Sequence, residues 1–150
     1  MLKKYVFVLT LVFAIGMLPL FSPVAEAAAE KDKHLLDVGQ NYVEATGMAV
    51  APENASGAQA KALARRGAML DLQRNMLEYI GGVQIDSRTT MDDFMAEDRV
   101  RSEVHGYIRK IEVMKGEWDG ECYTVTGRLR TDELRVLIER VCGVKISIMQ

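Results

Sequence analysis

The sequence predicts an α+β domain, an antiparallel sheet of about four strands with one long and one shorter helix packed on one face. Three observations carry this prediction. Residues 41–51 alternate in character, as a half-buried strand does. Residues 56–80 are rich in Ala, Leu, Met, Gln and Arg, all good helix formers. Two extended arms then meet at Asp119-Gly120, a dipeptide that favours the tight type I′ turn of an antiparallel hairpin.

In the first strand Val43, Ala45, Gly47 and Ala49 share one face, and Tyr42, Glu44, Thr46 and Met48 share the other. The first set is small, which predicts that something packs closely over it. Pro52-Glu53-Asn54 ends the strand. In the long helix Leu63, Leu70 and Leu77 recur every seven residues, with Met69, Met76 and Ile80 beside them, and this set predicts the buried stripe. Arg65, Arg66, Asp71, Arg74 and Glu78 fall mostly off it. Gly81-Gly82 is expected to stop the helix through a left-handed C-terminal cap.

Residues 83–87 alternate and predict a short strand. Thr90 is expected to cap a short helix that turns Met91, Phe94 and Met95 inward. Between residues 98 and 107 two patterns compete. Val100, Val104, Tyr107 and Ile111 fit helical spacing, while Val100, Ser102, Val104, Gly106 and Ile108 fit a strand. A strand from near Ser102 is favoured, because the next segment is extended. The hairpin arms span 108–118 and 121–130, with Ile111, Val113, Tyr123, Val125 and Leu129 as their buried face and Trp118 as a cross-strand packing residue. Thr131 is expected to cap a helix over 132–141, with Asp132 and Glu133 in its first turn, where the helix dipole favours them. Leu134, Leu137, Ile138 and Val141 form its apolar stripe and Gly143 ends it. Val144, Ile146 and Ile148 alternate with Lys145, Ser147 and Met149, the pattern of a short last strand.

Ahead of this domain the chain reads as an export signal. Met1-Leu2-Lys3-Lys4 is a positive start, residues 5–18 are apolar, and Ala25-Glu26-Ala27 is a small-residue cleavage site, with the cut expected between Ala27 and Ala28. The apolar run, interrupted by Gly16 and Pro19, falls short of the roughly 20 residues that a transmembrane helix needs. Residues 1–27 are therefore expected to be a signal peptide, residues 28–40 a flexible polar lead-in, and residues 41–150 a single domain. The expected location is the periplasm, without a stable membrane anchor after cleavage. Release outside the cell, or retention at the inner membrane by an uncleaved segment, are the alternatives. Removing residues 1–27 takes away Lys3, Lys4 and Glu26 and leaves 17 basic and 20 acidic side chains, a net charge of −3. That balance argues against a nucleic-acid partner, which would favour a concentrated basic face.

Candidate chemistry is sparse. His34 and His105 are too far apart for metal-ligand spacing, and Ser56 and Ser87 have no nearby base or nucleophile elbow. No cofactor, metal site or catalytic residue is expected. The densest charged cluster is Asp92, Asp93, Glu97, Asp98, Arg99, Arg101 and Glu103. Paired carboxylates there could bind a ligand or act as acid and base, but the spacing matches no calcium loop and the arginines would neutralise it. Cys122 should face away from Tyr123 and Val125, whereas Cys142 ends a helix on the core side. An intramolecular Cys122–Cys142 bridge, two free thiols and an intermolecular bond all stay open.

The order of these segments resembles a known pattern. Tyr42-Val43-Glu44-Ala45-Thr46-Gly47-Met48-Ala49 is followed by Ala62-Leu63-Ala64-Arg65-Arg66-Gly67-Ala68, then Gly106-Tyr107-Ile108, then Trp118-Asp119-Gly120-Glu121-Cys122-Tyr123-Thr124-Val125. Over roughly residues 42–130 this resembles the bacterial envelope family typified by a twenty-kilodalton membrane-associated lipoprotein. It is also similar to the N-terminal domain of flagellar assembly protein T. The resemblance implies a long helix packed across an antiparallel sheet, in surface, periplasmic or flagellum-associated proteins, and it carries over no catalytic residues. The chain departs from the family in lacking a lipidation cysteine after the cleavage site. The expected function is therefore a non-catalytic exported module that binds an envelope or flagellar protein. Its expected contact surface is the sheet face opposite the helices, presenting Lys110, Glu112, Thr124, Thr126 and Arg128, or an exposed edge strand. The alternative is a small-ligand binder or enzyme using the cluster between Asp92 and Glu103.

Overall fold

The computed structural model describes Leu36 and residues 40–145. The signal peptide, most of the lead-in and residues 146–149 of the expected last strand lie outside the described residues. Within the lead-in, Leu36 is buried in the core.

The fold is α+β, with a three-stranded antiparallel sheet in the order β1-β3-β2. The strands are β1 (Tyr42–Val50), β2 (Glu112–Trp118) and β3 (Cys122–Arg130), and the helices are α1 (Gly57–Gly82), α2 (Met91–Phe94), α3 (Asp98–Ile108) and α4 (Thr131–Cys142). β1 pairs with β3 without a break from Tyr42 opposite Arg130 to Val50 opposite Cys122. β2 pairs with β3 from Glu112 opposite Arg128 to Trp118 opposite Tyr123, with Met114 as an extra residue at a bulge.

The small face of β1 is where the long helix lies. A β-carbon on Gly47 would run into the Leu72 nitrogen and the Ala68 carbonyl oxygen, so helix backbone meets strand backbone there. One on Gly127, across the ladder, would meet Ile111 and Leu72 side chains. The helix answers with a ridge of every fourth residue: Ala60, Ala64, Ala68, Leu72, Met76 and Ile80 are all buried. The leucine repeat is not that ridge. Leu63 is 41% and Leu70 61% exposed, and Leu77 is only partly buried. Seven residues rotate a helix by only about two turns, so three leucines can line up on a flank. Close packing on Gly47 selects the alanine side instead.

Along the ridge the side chains grow. Ala64, Ala68 and Leu72 pack with Tyr123 and Val125, while Met76 and Ile80 join Val43, Val104, Leu129, Leu134 and Ile138 in a second cluster. Each fully buried Leu, Met or Ile stabilises the fold by about 1.5–3 kcal/mol relative to exposure.

Several expectations are corrected. α1 does end at Gly82, but its cap is Val83 at φ −61°, and neither Gly81 nor Gly82 is left-handed. A β-carbon on Gly81 would run into the Asp92 carboxylate, so this glycine makes room for α2. Residues 83–87 form no strand; Val83 and Gln84 are isolated bridge residues, Gln84 pairing with Thr90. Thr90 does precede α2, its N–H donating to Asp93 Oδ2 at 2.7 Å. Met91 and Met95 are buried and Phe94 is half-buried.

The ambiguous segment is helix, not strand. Val100, Val104, Tyr107 and Ile108 are buried while Ser102 and Gly106 are exposed, which is helical spacing. Tyr107 decides it, donating its hydroxyl to the Arg130 carbonyl at 2.8 Å and tying α3 to the end of β3. Burial, with Glu133 and Asp132 nearby, pushes its phenol well above the usual range. The sheet accordingly has three strands among the described residues, and the first hairpin arm begins at Glu112.

Val113, expected to be buried, is 47% exposed at the bulge on the outer strand β2. The turn is centred one residue later than expected. Asp119 N–H donates to the Cys122 carbonyl, leaving Gly120 and Glu121 as the central pair, with positive φ at Gly120 alone. That is the sign pattern of a II′ rather than a I′ turn. Asp119 Oδ1 accepts from the Glu121 and Cys122 N–H groups, which hold its carboxyl below the usual range. Finally, α4 is capped by Arg130, and Thr131 is its first helical residue, buried with an unpartnered hydroxyl. Leu134, Leu137, Ile138 and Val141 are buried as expected, and Gly143 closes the helix at φ +68°.

Two glycine substitutions separate close approach from helix propensity. Gly47→Ala should lower unfolding stability by at least about 2 kcal/mol, since helix backbone must move to admit the methyl. Gly106→Ala meets nothing within 4 Å and should raise stability by about 0.5–1 kcal/mol, as alanine does in a helix interior. Denaturant unfolding measures both, and a stabilising Gly47→Ala would contradict the packing.

Candidate interaction surface

α1 packs across β1 and β3 on one side of the sheet. Among the described residues nothing covers the other side, and its side chains stand in rows across the three strands. Glu44, Arg128 and Glu112 form a charged row, with Arg128 Nε donating to Glu112 Oε2 at 2.9 Å. Arg128 also lies over the Tyr42 ring, 4.0 Å from its centre. Thr46, Thr126 and Lys115 form the next row, the two threonine hydroxyls 3.3 Å apart. Met48, Thr124 and Glu117 follow, and Val50 beside Cys122 ends the face.

The face is thus graded from charged to apolar. Met48 is 57% and Val50 62% exposed, although apolar side chains on a strand ordinarily point into a core. Of the residues expected here, Glu112, Thr124, Thr126 and Arg128 are brought together. Lys110 is not, because it lies in the turn after α3 and lines a cleft of about 580 Å³ with Glu103, Tyr107, Glu133, Val136 and Arg140. Tyr42, Met48 and Val50 also stand on this face and were not among the residues expected there. Their signal was present in the alternation: they are simply the residues that do not share a face with Gly47.

The two edges of the sheet differ. At β1, Asp71 Oδ2 accepts from the Met48 N–H at 3.0 Å, and Asn75 Nδ2 donates to the Thr46 carbonyl at 2.7 Å. Two α1 side chains therefore occupy two of the outward backbone groups of that strand. β2 is exposed from Glu112 to Glu117.

The charged cluster is distributed among local contacts. Asp93 bonds Thr90; Glu97 pairs with Arg99 at 3.5 Å, Asp98 with Arg101 at 3.6 Å, and Glu103 with Arg140 at 3.0 Å. Arg101 Nε also donates to the Met95 carbonyl. Asp92 and Arg101 line a cleft of about 400 Å³ together with Leu77, Glu78, Met95 and His105, whereas Glu103 lines the other cleft. Among the described residues no group of three or more His, Cys, Asp or Glu side chains could hold a metal ion. No helix among them is long and apolar enough to cross a membrane.

No family model, curated protein or solved structure matches the chain. The family likeness therefore rests on the quoted residues alone, and their places in the fold are informative. Gly47 and Ala68 form the close approach, Gly67 faces the Ala49 methyl, and Asp119-Gly120 builds the turn. Those positions serve packing and chain reversal, not the open face.

Both cysteines are free thiols. Cys122 lies on the open face, and Cys142 Sγ sits 3.6 Å from Met91 Sδ. Burial pushes the Cys142 thiol up to about 11. At pH 8 about one Cys142 in a thousand is then thiolate, the form that alkylates. Iodoacetamide at that pH should modify Cys122 well before Cys142, read by peptide mass mapping; equal rates would contradict the burial of Cys142.

Proposed function

We propose that the protein is a non-catalytic, exported module of the bacterial envelope that binds another protein through the open face of its sheet. The observation that carries this reading is the exposure of Met48 and Val50 on a strand paired along its whole length with β3, beside a polar row. A small apolar area rimmed by polar groups is the composition of a reversible protein interface. The export signal read at residues 1–27 supports a periplasmic location. The likeness to the lipoprotein family and to flagellar assembly protein T supports an envelope or flagellar partner.

A second reading has one observation in its favour. Asp92, Arg101, His105 and Glu78 line a cleft together with Leu77 and Met95, a mixed site suited to a small polar ligand.

A photo-crosslinking residue placed at position 48 tests the first reading in intact cells. It should give a discrete adduct with one envelope protein, abolished by Val50→Lys. Val50→Lys itself should change stability by no more than about 0.5 kcal/mol, as exposed substitutions do. Periplasmic extraction should yield a chain beginning at Ala28. Absence of any adduct, or recovery of the chain only from the cytoplasm, would overturn the proposal.

A further inference from the structure

The two outer strands of the sheet are finished differently, and the difference points to a second surface. At β1 two outward backbone groups, the Met48 N–H and the Thr46 carbonyl, are taken up by Asp71 and Asn75. Among the described residues no side chain does the same along β2, which is exposed from Glu112 to Glu117. The bond from Asp119 N–H to the Cys122 carbonyl makes that pair hydrogen-bonded. Antiparallel alternation then turns the backbone groups of Lys115 and Glu117 toward β3, and those of Gly116 and Trp118 away from it. The free edge thus offers donors and acceptors at Gly116 and Trp118 beside the exposed apolar side chains of Val113 and Met114. An edge of this kind is a template for another strand.

Its charges select the strand. Lys115 Nζ and Glu117 Oε1 pair at 2.8 Å on the open face, and both side chains are largely exposed. We propose that a second copy of this chain docks here, β2 against β2, antiparallel about a two-fold axis at Gly116.

In that register Gly116 stands opposite Gly116 of the second copy as a hydrogen-bonded pair, because both turn their backbone groups outward. Lys115 stands opposite Glu117 of the second copy in a non-hydrogen-bonded pair, the kind in which side chains come closest. Two strand-internal ion pairs then close into a ring of four alternating charges. Shifting the axis to residue 115 sets lysine against lysine, and shifting it to residue 117 sets glutamate against glutamate; both are repulsive. A one-residue slip opposes outward-turned groups with inward-turned ones. Charge and hydrogen-bond parity therefore agree on a single register.

At either end of the run Met114 comes beside Trp118 of the second copy, and the bulge at Met114 limits the pairing to a few residues. An interface this small makes a weak, concentration-dependent dimer. The product is a six-stranded sheet whose open faces are continuous. It uses the backbone edge of β2, the strand at the opposite side of the sheet from Met48 and Val50, so it stands whether or not the partner reading does.

Sedimentation equilibrium of the protein purified from cells expressing the full chain, up to about millimolar concentration, tests the proposal. The expected result is a monomer–dimer equilibrium whose dissociation constant rises about tenfold or more in Lys115→Glu, where all four charges become negative. The swap Lys115→Glu/Glu117→Lys keeps composition and net charge and should return it to within about threefold of the parent. Circular dichroism confirms that the variants are folded, and the swap serves by itself if the single variant is not. A monomer at every concentration would overturn the proposal. So would a dimer indifferent to Lys115→Glu, or a swap that fails to restore association.

Discussion

The close approach of α1 to the sheet at Gly47 is the constraint on which the rest depends. Where helix backbone lies against strand backbone at Gly47 the strand cannot carry even a methyl group, and the buried Ala64 and Ala68 keep that side of the helix small. The Leu72 backbone meets Gly47, and its side chain fills the space left by Gly127 on the adjacent strand. Beyond it Met76 and Ile80 are shared with α3 and α4, so the second cluster is built onto the end of the same ridge. The helix is thus positioned by what the sheet omits. Packing forces of this kind act at short range, and a single methyl in such a place costs more than it adds.

The same placement determines which surfaces remain. With α1 committed to one side, the opposite side of β1 and β3 is uncovered among the described residues, and Met48 and Val50 are left in the open. The flank of α1 also reaches the edge of β1 through Asp71 and Asn75. One helix therefore closes a face and an edge together. The open face and the β2 edge are what it leaves.

Much of the fold was legible, and the failures share a cause. β1 could be read because its two faces differ in side-chain size as well as polarity, and α4 because Leu134, Leu137, Ile138 and Val141 are its apolar residues at helical spacing. The extent of α1 was legible too, but not its buried face. Alanine is weakly hydrophobic, so Ala60, Ala64 and Ala68 carry little signal beside leucines, and only the partner glycine gives them meaning. α3 failed for a related reason: Val100 and Val104 fit both periods, and the choice rests on a tertiary bond from Tyr107 to Arg130, 23 residues away. The open face was half legible, as four of its five expected residues share it. Lys110 was misplaced because β2 starts at Glu112, after a turn that no nearby residue pattern announces.

A comparison of two leucines two residues apart tests the central claim most directly. Leu72→Ala empties the space over Gly127 beside the close approach and should reduce unfolding stability by about 2–5 kcal/mol. Leu70→Ala, on the exposed flank, should change it by no more than about 0.5 kcal/mol. If Leu70→Ala proved the costlier of the two, the leucine repeat would be the buried stripe after all, and the packing of α1 on Gly47 would be wrong.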